Sequence, residues 1–400
     1  MTEVAEAERL IRERMPRFPA THEPLAACVD RVLAADVLAD RDHPPFDRVT
    51  MDGIAVAYVD WSAGVREFAV AGTQAAGVPP LALGGPGRCV EVMTGAVLPP
   101  GADTVIPVER VERVGGSARV AAGYEPAQGQ FIHRRGSDRP AGSRLLAAGQ
   151  RIGPPEVAVL AGAGCHRVPV TALPRVAVVS TGDELVDVDA PAIAPHQIRS
   201  SNDWAIAAAL ARHRLGTTTR ARLPDDVGAL LREIGRLHDE HDVLILSGGV
   251  SMGQFDFVPR VLEHLGADLV FHRIEQRPGR PMWFGTSRDG KPIFALPGNP
   301  VSTLVCTTRY VLPALRAALG ATEEPEELAT LAEPVELGAD LTYFMPVALR
   351  ASGGGATLVE PRPTNTSGDF VSLAGTIGFV ELPRTRRRYE AGDVVRVFRW

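Results

Sequence analysis

The stretch Val243-Leu244-Ile245-Leu246-Ser247-Gly248-Gly249-Val250-Ser251-Met252-Gly253, continued by Gln254-Phe255-Asp256, joins two kinds of local structure. Its first four residues are apolar and two are β-branched, the pattern of a strand buried on both faces. The next seven hold three glycines and two serines. Glycine permits a positive φ and a close approach of backbone to ligand. Free N–H groups and hydroxyls in such a loop cradle a phosphate or another oxyanion. Asp256 follows, where a helix near Val258 is expected to start. A carboxylate beside a bound anion repels it unless a cation lies between them, so Mg²⁺ is implied. A plain strand-to-helix turn fits the same residues, and the loop alone does not separate the two.

Around this strand the pattern alternates. Residues 175–180 form a second apolar run, ending in Thr181-Gly182-Asp183-Glu184-Leu185. A helix is expected over 202–213 and a strand over 220–223. The helix after Asp225 carries the stripe Val227, Leu230, Leu231, Ile234 and Leu237. Asp225 serves either as the cap of that helix or as a site acid. A helix at 258–265 and strands at 268–271 and 293–296 follow. The last strand ends in Pro297-Gly298-Asn299-Pro300, before a helix with Val301, Leu304, Val305, Leu312, Leu315 and Leu319. Strands alternating with helices predict a parallel sheet with right-handed crossovers. Ligands of such sheets bind beyond the carboxyl ends of the strands. Loops 181–184, 247–256 and 297–302 are expected there, bringing Asp183, Glu184, Asp225 and Asp256. Arg273 and the run Arg277-Pro278-Gly279-Arg280-Pro281 put three arginines within eight positions. Guanidinium forks match oxyanions, although a surface hairpin would have the same composition.

The flanks differ. Residues 3–14 predict a docked helix, with Val4, Ala7 and Ile11 on one side. Residues 25–35 predict a second helical stretch, and 43–47 a stiff linker. From about 50 to 140 the chain reads as short strands between Gly/Pro turns, a small all-β unit. It includes Asp52 before Gly53, the strand end Met93-Thr94-Gly95, and Arg134-Arg135-Gly136-Ser137-Asp138. Residues 155–164 predict a helix and 169–174 a linker. After Pro325 the segments 345–350, 356–360, 376–382 and 393–398 make a second β domain.

Four hundred residues suffice for several cores. Hydrophobic content of 45%, charged content of 22% and a net charge of −6 describe a globular chain with no general affinity for nucleic acid or anionic membranes. No apolar run approaches the roughly 18 residues of a membrane span, and the acidic N-terminal stretch predicts no signal peptide. Cys28, Cys89, Cys165 and Cys306 form no CxxC and read as buried thiols in a reducing compartment. A cytoplasmic location is expected.

Ser-Gly-Gly-Val-Ser-Met-Gly with Asp256, Thr-Gly-Asp-Glu-Leu at 181–185, Pro-Gly-Asn-Pro-Val-Ser at 297–302, Met-Asp-Gly at 51–53 and Met-Thr-Gly at 93–95 resemble the MoeA-type molybdopterin molybdenumtransferases, the family of gephyrin's C-terminal part. The similarity spans nearly the whole chain, in order. The resemblance implies multidomain α/β plus β architecture: an elongated discontinuous domain at 1–45 and 140–172, an inserted β domain at 46–139, a molybdopterin-binding parallel α/β domain at 173–320, and a C-terminal β-barrel-like domain at 326–400. It implies a homodimer with its active site between subunits. It also implies a reaction that inserts molybdenum from molybdate into adenylylated molybdopterin and releases AMP, with Mg²⁺.

Carried over by position, the resemblance puts Asp52, Thr94 and Asp138 opposite the neighbouring subunit's site. Glu184, Asp225 and Asp256 handle the cation and the pyrophosphate linkage. Ser247, Gly248, Gly249, Ser251 and Gly253 hold the pterin phosphate region, with Gly298 and Asn299 on the adjoining loop. Arg277 and Arg280, with Arg273, Pro281, Ser302 and either Ser367 or Ser372, hold molybdate. This chain departs from the family's lysines at 277 and 280, has His133 where a basic residue is usual, and has Phe344-Met345-Pro346 where an arginine is expected. Two other functions fit parts of the chain: molybdopterin adenylyltransferase activity, or a non-catalytic dimeric scaffold. A molybdopterin adenylyltransferase and cofactor-accepting enzymes are the expected partners.

Overall fold

A computed structural model describes residues 1–250, 257–351 and 357–400. Ser251, Gly253 and Asp256 therefore lie outside the described residues. Two compact units divide the chain. The larger comprises Met1–Ala35, Gly149–Pro154 and Arg167–Trp400; the smaller comprises Asp36–Ala148 and Pro155–His166.

The centre of the larger unit is a six-stranded sheet with helices on both faces. Its elements are β1 (Arg175–Thr181), α1 (Asn202–His213), β2 (Thr217–Leu223), α2 (Val227–Glu240), β3 (Val243–Ser247), α3 (Val258–His264), β4 (Asp268–His272), β5 (Trp283–Thr286), β6 (Pro292–Leu296) and α4 (Pro300–Cys306). The strand order is β2-β1-β3-β6-β5-β4. Side chains alternate between two cores, as pleating requires. Val176, Val178, Val243 and Ile245 meet Ile206 and Leu210 of α1, Val305 of α4 and Val4, Ala7 and Ile11 of the N-terminal helix Val4–Arg14. Ala177, Val179, Leu244 and Leu246 meet the α2 stripe Leu230, Ile234 and Leu237, and Val261 and Leu262 of α3. Each large apolar side chain so buried contributes about 2 kcal/mol.

The expectation of a wholly parallel sheet is corrected at one edge. β1, β2, β3 and β6 are parallel, but β5 pairs antiparallel with both β6 and β4. The short link at 287–291 is too brief for a crossover, so β5 and β6 must run in opposite directions. Strand β5 itself was not foreseen.

Two further expectations change. Residues 25–35 hold only a 3₁₀ turn at Leu25–Ala27. Asp30 has φ 65°, and the Asp30 and Leu33 N–H groups donate to Ile152 and Gln150 carbonyls rather than within a helix. Residues 169–174 are not a simple linker: Arg167–Thr171 is a strand paired antiparallel with Ala20–Pro24, burying Val168 and Val170.

The last part of the larger unit closes into a five-stranded barrel. Strands Leu328–Leu331, Thr342–Arg350, Leu358–Pro361, Gly378–Leu382 and Val394–Arg399 pair in a circuit, sealed by Thr342–Arg350 against Gly378–Leu382. The two-residue strand Gln276–Arg277, from the excursion between β4 and β5, pairs with Thr342 and Tyr343 of the barrel.

The smaller unit has a six-stranded sheet in the order Thr104–Pro107, Gly53–Val56, Arg88–Val92, Glu67–Gln74, Ser117–Val120, Val111–Val114. It is β-rich as expected, with an unforeseen short helix, Tyr58–Ser62, that buries Trp61 in its core.

Candidate functional site

The sheet order reverses between β1 and β3, so the crevice of the fold opens beyond their carboxyl ends. Three rims meet there. Gly248 and Gly249 have φ of 102° and 63°, and a Cβ on Gly248 would stand 2.5 Å from the Thr181 carbonyl oxygen. Gly298, beyond β6, lies against the Gly248 backbone. Asn202, at the start of α1, ties the rims together: its Nδ2 donates to Ser247 Oγ at 2.9 Å and to the Gly298 carbonyl at 2.8 Å. The buried Thr181 Oγ1 has no hydrogen-bond partner among the described residues. An unmet buried hydroxyl costs about 1–3 kcal/mol, which a bound oxyanion would offset.

β1 and β2 end in register, Thr181 opposite Leu223. This brings the acids two or three positions onward to one rim. Asp183 Oδ1 accepts the Asp225 backbone N–H at 3.0 Å. The Glu184 carboxylate folds back over Gly182, 2.6 Å from where a Cβ on residue 182 would stand. Asp225 does not cap α2. That role belongs to Asp226, which accepts from Ala229 N at 2.8 Å. One residue of slip separates the two aspartates, and only the backbone φ/ψ decides which faces the helix. Asp226→Ala should therefore cost about 1 kcal/mol in urea unfolding and leave turnover intact, whereas Asp225→Asn should do the reverse.

Among the described residues no three His, Cys, Asp or Glu side chains cluster as a metal-holding group. Glu184 and Asp225 lie on loops that follow neighbouring strands, and carboxylate oxygens are the donor type a hard cation takes.

Beside these rims lies a cleft of about 580 Å³ between the β6–α4 loop and the barrel. Arg277, Arg280, Pro281, Asn299, Ser302 and Ser367 all line it. Among the described residues neither arginine has an acidic partner. Arg277 lies over the Tyr343 ring at 5.6 Å, and Arg280 Nε is 3.2 Å from Met1 Sδ. Asn299 Nδ2 donates to Ser367 Oγ at 2.8 Å, and Val301 N donates to the Ser367 carbonyl at 3.0 Å, which clamps the β6–α4 loop to the barrel. Ser302 is buried at the first turn of α4. Arg273 and Ser372 do not line the cleft: Arg273 N donates to the Met282 carbonyl, and Ser372 Oγ donates to Asp369 at 2.7 Å. The barrel presents Met345 and Pro346 to the cleft, so its cations come from the 277–280 turn.

In the smaller unit Asp52 Oδ1 accepts from Thr94 N at 2.6 Å and Thr94 Oγ1 at 2.7 Å. These bonds, the hydroxyl's first, hold the Asp52 carboxyl below the usual carboxylate range. Asp138 is 2.8 Å from His133 Nε2, whose Nδ1 is 3.0 Å from Arg48. Arg134 and Arg135 pair with Asp47 and Asp42. Asp52, Thr94 and Asp138 are exposed.

Sequence reasoning missed Asn202, and it missed Gln276, Cys306 and Tyr310 beneath the arginine turn. Asn202 is a polar residue at a helix start, normally read as a cap. Gln276 is a single amide in an arginine-rich stretch and belongs to no motif.

The chain matches the MoeA N-terminal region (domain I and II) over residues 2–164, the probable molybdopterin binding domain over 177–317, and the MoeA C-terminal region (domain IV) over 329–400. It is 37% identical over 402 residues to the molybdopterin molybdenumtransferase of Synechocystis sp., with 100% of both chains covered. The chain belongs to the MoeA family of molybdopterin molybdenumtransferases. A Staphylococcus aureus molybdopterin molybdenumtransferase is 32% identical, covering 98% of this chain and 94% of its own. Two solved MoeA proteins of molybdopterin biosynthesis from Pyrococcus horikoshii superpose with TM-scores of 0.84 and 0.85, at 32% and 26% identity, covering all of this chain and 99% and 100% of theirs. In MoeA terms the cleft draws on the second and third matched regions, and Asp52, Thr94 and Asp138 fall in the first.

Proposed function

We propose that the chain takes molybdate and adenylylated molybdopterin and yields molybdenum-loaded molybdopterin and AMP. Family membership makes it a transferase of molybdenum cofactor biosynthesis. The observation that carries the finer reading is the cleft, whose lining holds the Ser302 and Ser367 side chains and two guanidinium groups that have no acidic partner among the described residues. Molybdate is a tetrahedral dianion, and cations with hydroxyl donors are what binds it in competition with water.

The chemistry balances without redox change. Both dithiolene sulfurs bond to molybdenum, and one oxo ligand leaves with the two thiol protons as water. A water attacks the phosphoanhydride, leaving AMP and the pterin phosphate. Arg277 and Arg280 hold the remaining oxo ligands, while Ser247 and the Gly248–Gly249 backbone bind the pterin phosphate. Glu184 and Asp225, with Asp256, would hold Mg²⁺, which neutralises charge on the phosphoanhydride oxygens when bound. Asp52, Thr94 and Asp138 act across a homodimer, facing the other subunit's crevice. The four domains are 1–45 with 140–172, 46–139, 173–320 and 326–400, and the enzyme works in the cytoplasm. Among the described residues no helix is long and apolar enough to cross a membrane.

The test is direct molybdate binding by calorimetry. Arg277→Ala and Arg280→Ala should each weaken binding by about 10- to 100-fold, the value of a charged hydrogen bond. Unchanged binding in both would move the oxyanion site elsewhere.

A further inference from the structure

Beneath the arginine turn lies a polar bracket in an otherwise apolar interior. Gln276 is fully buried. Its Nε2 donates to the Pro278 carbonyl at 3.0 Å and lies 3.6 Å from Cys306 Sγ, while its Oε1 accepts from the buried Tyr310 hydroxyl. The Cys306 thiol in turn faces the Gly279 carbonyl at 3.6 Å. Burial pushes that thiol up to about 12, so it stays a neutral donor. Gly279 has φ 92°, and a Cβ there would stand 2.5 Å from Gln276 Nε2 and 2.6 Å from Cys306 Sγ. The turn is thus held from below at two successive carbonyls, Pro278 and Gly279, and from the side by the pairing of Arg277 with Tyr343.

The bracket comes from the helix that also carries Ser302. α4 runs into a π-helical turn, Thr307–Val311. π-turns displace side chains from α-helical spacing and recur at functional sites. Here Cys306 and Tyr310 both point under the arginines, while Ser302, one turn before Cys306, faces the cleft. One rigid element therefore sets the height of the hydroxyl and the floor of the cationic turn.

We infer that Gln276 and Tyr310 are positioning residues for the oxyanion site: they fix the spacing of Arg277, Arg280 and Ser302 and thereby make the cleft discriminate between tetrahedral oxyanions of different size. This rests on the reading of the cleft as the molybdate site. The Gln276 amide spends its hydrogen bonds on the Pro278 carbonyl and the Tyr310 hydroxyl, so both side chains act on the turn from behind. A preorganised cationic fork binds the anion it fits without reorganisation, whereas a loosened fork accommodates a smaller anion such as sulfate nearly as well.

The experiment compares Tyr310→Phe and Gln276→Leu with wild type and with Arg277→Ala, all as full-length protein. Calorimetry gives molybdate and sulfate affinity, turnover gives KM for molybdate against kcat, and thermal melting gives stability. Tyr310→Phe removes one oxygen and keeps the ring, so it reports even if Gln276→Leu fails to fold. Each folded variant should weaken molybdate binding about tenfold, the usual cost of losing a supporting contact behind a ligand. Molybdate-over-sulfate preference should fall, and the defect should appear in KM, with kcat largely recovered at saturating molybdate. Because the Tyr310 hydroxyl acts through Gln276, the double variant should bind no more weakly than Gln276→Leu alone. Wild-type affinity and preference in Tyr310→Phe, with Arg277→Ala defective, would overturn this inference alone. Wild-type binding in Arg277→Ala as well would overturn the reading of the cleft.

Discussion

Glu184→Gln is expected to lower AMP release by about a hundredfold or more, with the protein still folded, because the substitution keeps the shape and removes the charge that a hard cation needs. Glu184 is exposed at the end of β1 and takes part in no core packing, so loss of the fold would not explain loss of turnover. Asp52→Asn should also fall sharply. Its carboxylate, held by Thr94 through two short hydrogen bonds, is ionised throughout the neutral range. The two inactive variants should then rescue each other. In a mixed dimer whose sites each take Glu184 from one chain and Asp52 from the other, one of the two sites is wild type at both positions. Mixing the purified variants and assaying AMP release reads this out. Absence of recovery after demonstrated subunit exchange would put Asp52 and Glu184 in the same chain's site, or remove Asp52 from it.

The largest stability effect is expected at Arg309. This guanidinium is 2% exposed in the π-helical turn. It pairs with Glu381 of the barrel at 3.1 Å and with Glu8 of the N-terminal helix at 2.9 Å, and packs over the Phe398 ring at 4.9 Å. Burial opposes its charge, but Glu381 and Glu8 outweigh burial and keep its pKa above the ordinary arginine value. Arg309→Ala leaves the partly buried Glu381 without its cation and Glu8 with only Arg12 at 3.9 Å, and should cost about 3–5 kcal/mol in denaturant unfolding. The triple variant Glu8→Gln, Arg309→Met, Glu381→Gln should recover much of that loss, since no charge is then left unpaired. A single variant as stable as wild type would mean that water or neighbouring side chains satisfy both acids.

Local pattern made most of the α/β sheet legible. The apolar runs at β1, β3 and β6 and the α2 stripe were readable because a strand or helix buried on a known face repeats at its own period. The misread segments are those whose backbone partners lie far away in sequence. Residues 167–171 become a strand only because Ala20–Pro24 supplies the opposite edge. Residues 25–35 lose their helix to carbonyls near 150. Neither partner leaves a mark in the local composition.

The site divides in the same way. Glycine, acid and arginine at strand ends are a chemical statement, and residue types alone implied an oxyanion and a hard cation. Which aspartate caps α2 was beyond that reasoning, since Asp225 and Asp226 differ by one backbone position. So was the choice between Ser367, which lines the cleft, and Ser372, which is engaged by Asp369. The amino-acid order by itself determined the alternating architecture and the chemistry on offer, because those follow from periodicity and from the functional groups present, and its motifs carried the resemblance to the family. Tertiary structure decided the spacing: the pairing of Gln276–Arg277 with the barrel, and the π-turn that sets Cys306 and Tyr310 beneath them. Contacts between segments tens of residues apart depend on how layers pack, and no local pattern encodes that.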